Sequence, residues 1–212
     1  KVGVLSVCSE NDIDFMALGA LVGQKLFKVV SRSIARDVCR KAKVGFVLLT
    51  HSSIMEGPCE RIVVNGPNPP KTPDTIATAV WAGNKLGSKD LIVVDELNEK
   101  SIARADDDMS TLQRLRQSRQ LEKQEHNRIE EVLDLCTGGC TMDITEQHVF
   151  GKKGYTIAHY AKAKRADLLV VNSPDTKLGF LDRIFKHDLE YILSDLPTDV
   201  LIVHTTKELA HA

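Results

Sequence analysis

The sequence predicts an α/β fold: an open parallel sheet with helices on both faces. Three observations predict it. Short apolar runs, mostly of four to seven residues and bounded by Gly, Pro, Asn or Asp, alternate with longer stretches of helical period. Those runs are continuously apolar rather than alternating, as in strands covered on both faces. From Arg61 onward the order reads β-α-β-α-β-α-β-α-β over about 145 residues, which requires right-handed crossovers.

The expected strands are Val2–Val7, Val44–Thr50, Arg61–Asn65, Leu91–Asp95, Met142–Val149, Leu168–Asn172 and Val200–His204. The first expected helix opens at Thr72-Pro73-Asp74, which supplies a cap, a proline at the first helical position and an acidic first turn. It turns Ile76, Ala79, Val80 and Leu86 inward and stops at Gly87. A longer helix starts at Ser110 or Thr111 and runs to about Leu135. Its middle (QRLRQSRQLEKQEHNR) is so polar that a solvated outer helix or partial disorder are both open. A short helix is expected over Thr156–Lys164 and a last one over about Phe180–Ser194, followed by Leu196-Pro197 and the final strand.

Composition narrows the function. The chain has 212 residues, 42% hydrophobic, with 28 Lys+Arg against 29 Asp+Glu, so it can bury a core and has almost no net charge. Near-neutrality disfavours a basic binder of nucleic acid or anionic membrane. The longest apolar run, Phe15 to Gly23, ends at Gln24-Lys25, well short of the roughly 18 residues that span a bilayer. Five cysteines at 8, 39, 59, 136 and 140 suit a reducing compartment better than a disulfide framework. Cys136 and Cys140 have neither redox nor zinc-knuckle spacing. With His148 as a third ligand they remain a weaker alternative to two ordinary thiols at a helix end. The chain begins at Lys1 without a signal-peptide pattern, and the expectation is a piece of a longer protein.

An internal half-repeat sharpens this. Phe27–His51 can be laid over Phe180–His204 without a gap, each a helix, a turn and an apolar strand ending in His. Val4–Cys8 then corresponds to Leu168–Asn172. The expected domains are 1–56, the second half of a first copy, and 57–212, a complete second copy.

The residues Ala166-Asp-Leu-Leu-Val-Val-Asn-Ser, a helix containing Asp188-Leu-Glu-Tyr-Ile-Leu, and Leu196-Pro-Thr-Asp-Val-Leu-Ile-Val carry a resemblance. Together with Arg61-Ile-Val-Val-Asn-Gly and Asp90-Leu-Ile-Val-Val, they resemble the universal stress protein family over about 59–205, with a partial second match over 1–51. The resemblance implies five parallel strands in the order 3-2-1-4-5. It also implies edge-to-edge pairing of the last strands, here Val44–Thr50 and Val200–His204, as an intramolecular pseudo-dimer that would cover two apolar edges.

Many members of that family bind ATP or AMP through an Asp ending the first strand and a loop G-x2-G-x9-G-(S/T) after the fourth. Glycine serves there because the backbone must approach a phosphate closely. This sequence departs from the pattern. The Asp position is Asn65, followed by Gly66; the first two glycine positions fall on Asn172 and Asp175, flanking Ser173 and Pro174; allowing one inserted residue, the last pair falls on Lys186-His187. In the partial copy the equivalents are Cys8 and Arg32-Ser33, of which only Ser33 keeps the family's type. Asn65, Gly66, Asn172, Ser173, Asp175, Lys186, His187 and Ser33 are therefore the candidate residues of a degenerate nucleotide site. No cofactor is expected, with an adenine nucleotide left open. The stiff loop Gly66–Lys71 also narrows the space for a nucleoside.

No other chemistry stands out. There is no GxSxG, P-loop or HExxH motif. His126 and His148 read as surface residues, and His51, His187 and His204 as ordinary polar contacts at element ends. Asp106-Asp107-Asp108 reads as acidic residues favouring a helix start. Trp81 is either core or an exposed anchor. The expectation is a non-enzymatic, cytosolic regulatory or assembly domain of a membrane transporter (cation, cation-chloride or amino-acid type). Its partner would be the transmembrane domain of the same polypeptide, with a homodimer also open. The alternative is a free-standing adenine-nucleotide-binding stress protein.

Overall fold

The computed structural model describes residues 6, 7, 10, 11, 13, 15–19, 44–50, 57–66, 72–97, 111–136, 138–152, 154–173, 191–193 and 196–204. Its strands are β1 (Phe15–Gly19), β2 (Gly45–Leu49), β3 (Arg61–Asn65), β4 (Asp90–Leu97), β5 (Asp143–Phe150), β6 (Leu168–Asn172) and β7 (Asp199–Val203). Among the described residues the strands are interleaved with helices α1 (Thr72–Leu86), α2 (Thr111–Cys136) and α3 (Tyr155–Ala163). The expected helix over 180–194 lies outside the described residues except at 191–193, which are helical.

The described strands form one seven-stranded sheet in the order β1-β2-β7-β6-β3-β4-β5. From β3 onward the chain builds outward to β4 and β5, then returns to the other side of β3 for β6 and β7. All these neighbours are parallel. β1 is parallel to β2, and β2 meets β7 antiparallel, with Val47 opposite Leu201.

The fold corrects the expected first strand. Ser6 and Val7 are helical, and the strand beside β2 is Phe15–Gly19. Local hydrogen bonding explains the difference. Ser6 donates to the Glu10 carboxylate at 2.5 Å, and the Asn11 backbone and side chain donate to the Val7 carbonyl at 3.1 and 2.8 Å, all at helical spacing. The apolar run that begins at Phe15 is what joins the sheet.

Alternating strand residues feed two core layers. Ile62, Val64, Leu91, Val93, Leu168 and Val170 lie with Ile76, Ala79 and Val80 of α1 and Ile129 of α2. On the opposite face Val63, Ile92, Val94, Leu169 and Val171 meet Ile157, Ala158 and Ala161 of α3, together with Ile192 and Leu193. Phe46 and Leu48 of β2 and Val200 and Ile202 of β7 belong to this second layer, so it continues across the antiparallel seam. Burying a side chain of this size contributes about 1.5–3 kcal/mol.

Helix ends follow their local chemistry. Gly87 takes φ +71°, and the Ser88 N–H closes the end of α1 on the Gly83 carbonyl at 2.9 Å. The start of α3 has no cap in sequence. Its donors are satisfied across the fold by Glu96 of β4, which accepts from the Gly154 N–H at 3.0 Å and the Ile157 N–H at 2.7 Å. Among the described residues, no helix is long and apolar enough to cross a membrane.

Candidate functional site

The strand order reverses between β3 and β6, so the crevice beyond their carboxyl ends is where an open α/β sheet places its ligands. The structure brings four of the expected site residues there: Asn65 and Gly66 follow β3, and Asn172 and Ser173 follow β6. Cys8, Arg32, Ser33, Asp175, Lys186 and His187 lie outside the described residues.

Among the described residues, several groups at this crevice are bonded to one another. α1 starts beneath it with Thr72 and Thr75 fully buried, and the Thr75 hydroxyl donates to Asn172 Oδ1. The Gly66 N–H donates to the Val94 carbonyl at 2.8 Å. A Cβ at Gly66 would stand 3.1 Å from Val93 Cγ1, 3.2 Å from the Val94 carbonyl and 3.4 Å from Ile129 Cδ1. The Ser173 N–H, which could otherwise face a phosphate, donates to the Val203 carbonyl at 2.8 Å. Asn65, Gly66, Thr72, Thr75, Asn172 and Ser173 carry no charge. Two of their polar atoms, Asn65 Oδ1 and Asn172 Nδ2, are buried without a hydrogen-bond partner.

The strand beside β2 is β1, so the residue at that strand's end is Gly19, where the half-repeat put Cys8. Gly19 pairs with Leu49 as Asn172 pairs with Val203.

Sequence reasoning missed a second constellation, on the α2 side of the sheet. Asp95 of β4 lies directly opposite His148 of β5. The Asp95 carboxylate faces His148 Nδ1 at 3.4 Å, and Glu146 Oε1 faces His148 Nε2, also at 3.4 Å. The other Glu146 oxygen meets His126 Nδ1 of α2 at 2.5 Å. His126 remains half exposed, but the His148 side chain is only 21% exposed, so the surface reading of His148 is corrected. The hydrogen bond to Glu146 and its negative charge push the His126 imidazole above its ordinary pKa, with a smaller contribution from Glu130. The legible signal was Glu146-x-His148, two polar residues on one face of an edge strand.

Cys59, Cys136 and Cys140 are free. Burial pushes the Cys59 thiol up, and burial followed by the charge of Asp74 does the same for Cys136. Among the described residues no group of three or more His, Cys, Asp or Glu is placed to hold a metal ion. Trp81 is half exposed, 5.9 Å from the Phe15 ring and nearly parallel to it.

No protein-family model matches the sequence, and no curated protein matches it either. Solved structures do match. A universal stress protein from Archaeoglobus fulgidus superposes with a TM-score of 0.65 at 14% identity, covering 98% of this chain and 66% of that one. A functionally unknown protein from Pseudomonas aeruginosa gives 0.62 at 14% identity, over 99% of this chain and 69% of that one. A universal stress protein from Lactobacillus plantarum gives 0.54 at 14% identity, over 70% of this chain and 99% of that one. The chain therefore spans about two thirds of the length of the first two, and nearly the whole of the third matches about seven tenths of it. At these identities the likeness is one of fold: the chain has the α/β fold seen in universal stress proteins.

Proposed function

We propose that this chain is a non-enzymatic regulatory or assembly module on the universal stress protein fold, working through protein contacts rather than a bound nucleotide. One observation carries the reading. At the strand-order reversal, described polar groups that could face a ligand are bonded within the protein, with Thr75 on Asn172 and the Ser173 N–H on the Val203 carbonyl. Asn65 stands where a carboxylate would be needed to hold a ribose, and the six crevice residues bring no cation to a phosphate. Near-zero net charge suits the same role, since it offers no field to draw in nucleic acid or anionic lipid.

In this proposal the module is the cytosolic part of a membrane transporter of cation, cation-chloride or amino-acid type, and its partner is the transmembrane domain of the same polypeptide. A second copy meeting it at a sheet edge is the further partner of the proposal. The test is to determine the full coding sequence and to assay transport with and without this segment. Upstream apolar stretches of about 20 residues, with altered transport on deletion, support the proposal. A start codon close to Lys1 overturns it.

The second reading is a free-standing protein that binds an adenine nucleotide. Asn65 Oδ1 and Asn172 Nδ2 favour it, as a buried acceptor and donor without partners at the mouth of the crevice. Gly19 at the end of β1 favours it too, because the partial copy keeps a small residue there.

A further inference from the structure

β5 is the last strand of the sheet beyond β4, and among the described residues no strand pairs with its outer side. A bare strand edge invites another chain, and proteins blunt such edges with lysine, proline or a bulge. β5 (DITEQHVF) contains neither lysine nor proline. It also runs without a bulge, pairing residue for residue with β4 from Asp90 opposite Asp143 to Leu97 opposite Phe150. The Asp143 N–H donates to the Lys89 carbonyl at 2.8 Å and the Gly151 N–H to the Leu97 carbonyl at 3.0 Å, with the same offset at both ends.

In a parallel ladder the N–H and C=O of one residue point to one side, and those of the next residue to the other. Asp143 and Gly151 point to β4, and Thr145, Gln147 and Val149 therefore do so too. Ile144, Glu146, His148 and Phe150 turn their backbone groups outward. The exposed Gln147 side-chain amide donates to the His148 carbonyl at 3.1 Å, as it can where no strand lies beside that carbonyl. The side chains of Ile144 and Glu146 lie on the α2 face, Ile144 against the core layer and Glu146 against His126.

This edge is complementary to itself. A two-fold axis through Gln147, perpendicular to the sheet, sets two copies of β5 antiparallel. Glu146 then stands opposite His148 of the second copy, Ile144 opposite Phe150, and Thr145 opposite Val149, each pair occurring twice. The residues with outward backbone groups fall in the hydrogen-bonded pairs, and Gln147 meets itself in a non-hydrogen-bonded pair. A carboxylate accepts and an imidazole donates in either of its charge states, so Glu146 and His148 suit one another. Phe150, 37% exposed, gains Ile144 as an apolar neighbour. The neighbouring registers are worse. One sets Glu146 against Glu146, and like charges directly opposite are destabilising; the other sets Glu146 against Phe150. Registers between these would place the α2 face of one copy against the α3 face of the other.

We propose that β5 is a self-complementary docking edge, to which a second copy of this chain adds antiparallel about Gln147. The sheet already contains one antiparallel joint of this kind, between β2 and β7. The proposal rests on the function proposed above only in giving the second copy named there its place; the transporter attachment plays no part in it.

The experiment joins sedimentation velocity with cysteine cross-linking of the full chain. The contact is small, so association should be weak, and concentrations up to about 300 µM are needed to read it. The unsubstituted chain should show a concentration-dependent dimer. Gln147→Lys and Gln147→Glu should each weaken it by about two- to fivefold, and an equal mixture of the two should restore it. Under mild oxidation Gln147→Cys should form a linked dimer well above the background of the unsubstituted chain, because a non-hydrogen-bonded pair has Cα atoms about 4.5 Å apart, within disulfide reach. Thr145→Cys should stay at background, since the two Thr145 positions lie about 13 Å apart along the strands. A monomer at every concentration overturns the proposal, as does a dimer indifferent to both charged variants, or equal cross-linking at positions 145 and 147. None of these readouts involves transport or a nucleotide, so failure here leaves the proposed function standing.

Discussion

Asp199 Oδ1, at the start of β7, accepts two hydrogen bonds from Thr50, just beyond β2: one from its backbone N–H at 2.7 Å and one from its hydroxyl at 2.8 Å. The residues are 149 positions apart and both are buried. This contact fastens the antiparallel seam between β2 and β7 at one end, where the backbone ladder alone would leave the Thr50 donors facing a desolvated edge. Asp199→Ala should therefore cost about 2–3 kcal/mol in urea denaturation, since it strands two buried donors. Thr50→Val removes only the hydroxyl and should cost about 1 kcal/mol. Equal losses in the two variants would mean that the carboxylate does not serve the backbone donor.

Glu96 acts comparably on the other face. Its carboxylate is buried and receives the Gly154 and Ile157 N–H groups at the start of α3, an end with no capping side chain of its own. Glu96→Ala should destabilise the chain by about 2 kcal/mol, and Glu96→Gln, which keeps an acceptor but loses the charge at the helix start, by about 1 kcal/mol. Circular dichroism during urea unfolding measures both.

At Gly66 the constraint is close approach. An added methyl would press on Val93, the Val94 carbonyl and Ile129 together, two of them side chains of a packed core and one of them backbone. Gly66→Ala should lose about 1–3 kcal/mol through overpacking. A neutral or stabilising result would show that α2 yields easily at Ile129.

Trp81 is the lone tryptophan and stacks on Phe15 of β1, so its emission reports on the docking of that strand. Phe15→Ala should red-shift the emission, increase acrylamide quenching and cost about 0.5–1.5 kcal/mol beyond the area lost. Unchanged emission would mean that the ring pair does not hold in solution.

Much of this fold was legible because its strands are short, apolar runs with clear boundaries. β3 and α1 lie where the sequence puts them, and β4, β5, β6 and β7 begin or end within a residue or two. β1 was misplaced because Val2–Val7 and Phe15–Gly19 are both apolar, and composition does not say which run finds a neighbouring edge. Ser6, Glu10 and Asn11 decide it through helical side-chain contacts that a strand reading ignores. At the crevice, the loss of the carboxylate and of the glycines was readable residue by residue. The hydrogen bond from Thr75 to Asn172 was not, because it depends on how α1 sits beneath β6 rather than on any local pattern. The same holds for Asp95 and His148, 53 positions apart and brought together only by the β4–β5 register.

Calorimetric titration of the purified chain with ATP and with AMP tests the central claim most directly, namely that the chain works without a nucleotide at the crevice between β3 and β6. The account predicts no binding heat and no ligand-induced rise in melting temperature at nucleotide concentrations up to about 1 mM, a limit corresponding to roughly −4 kcal/mol. Saturable binding at micromolar concentration, abolished by a bulky substitution at Asn172, would contradict it and establish the nucleotide-binding reading instead.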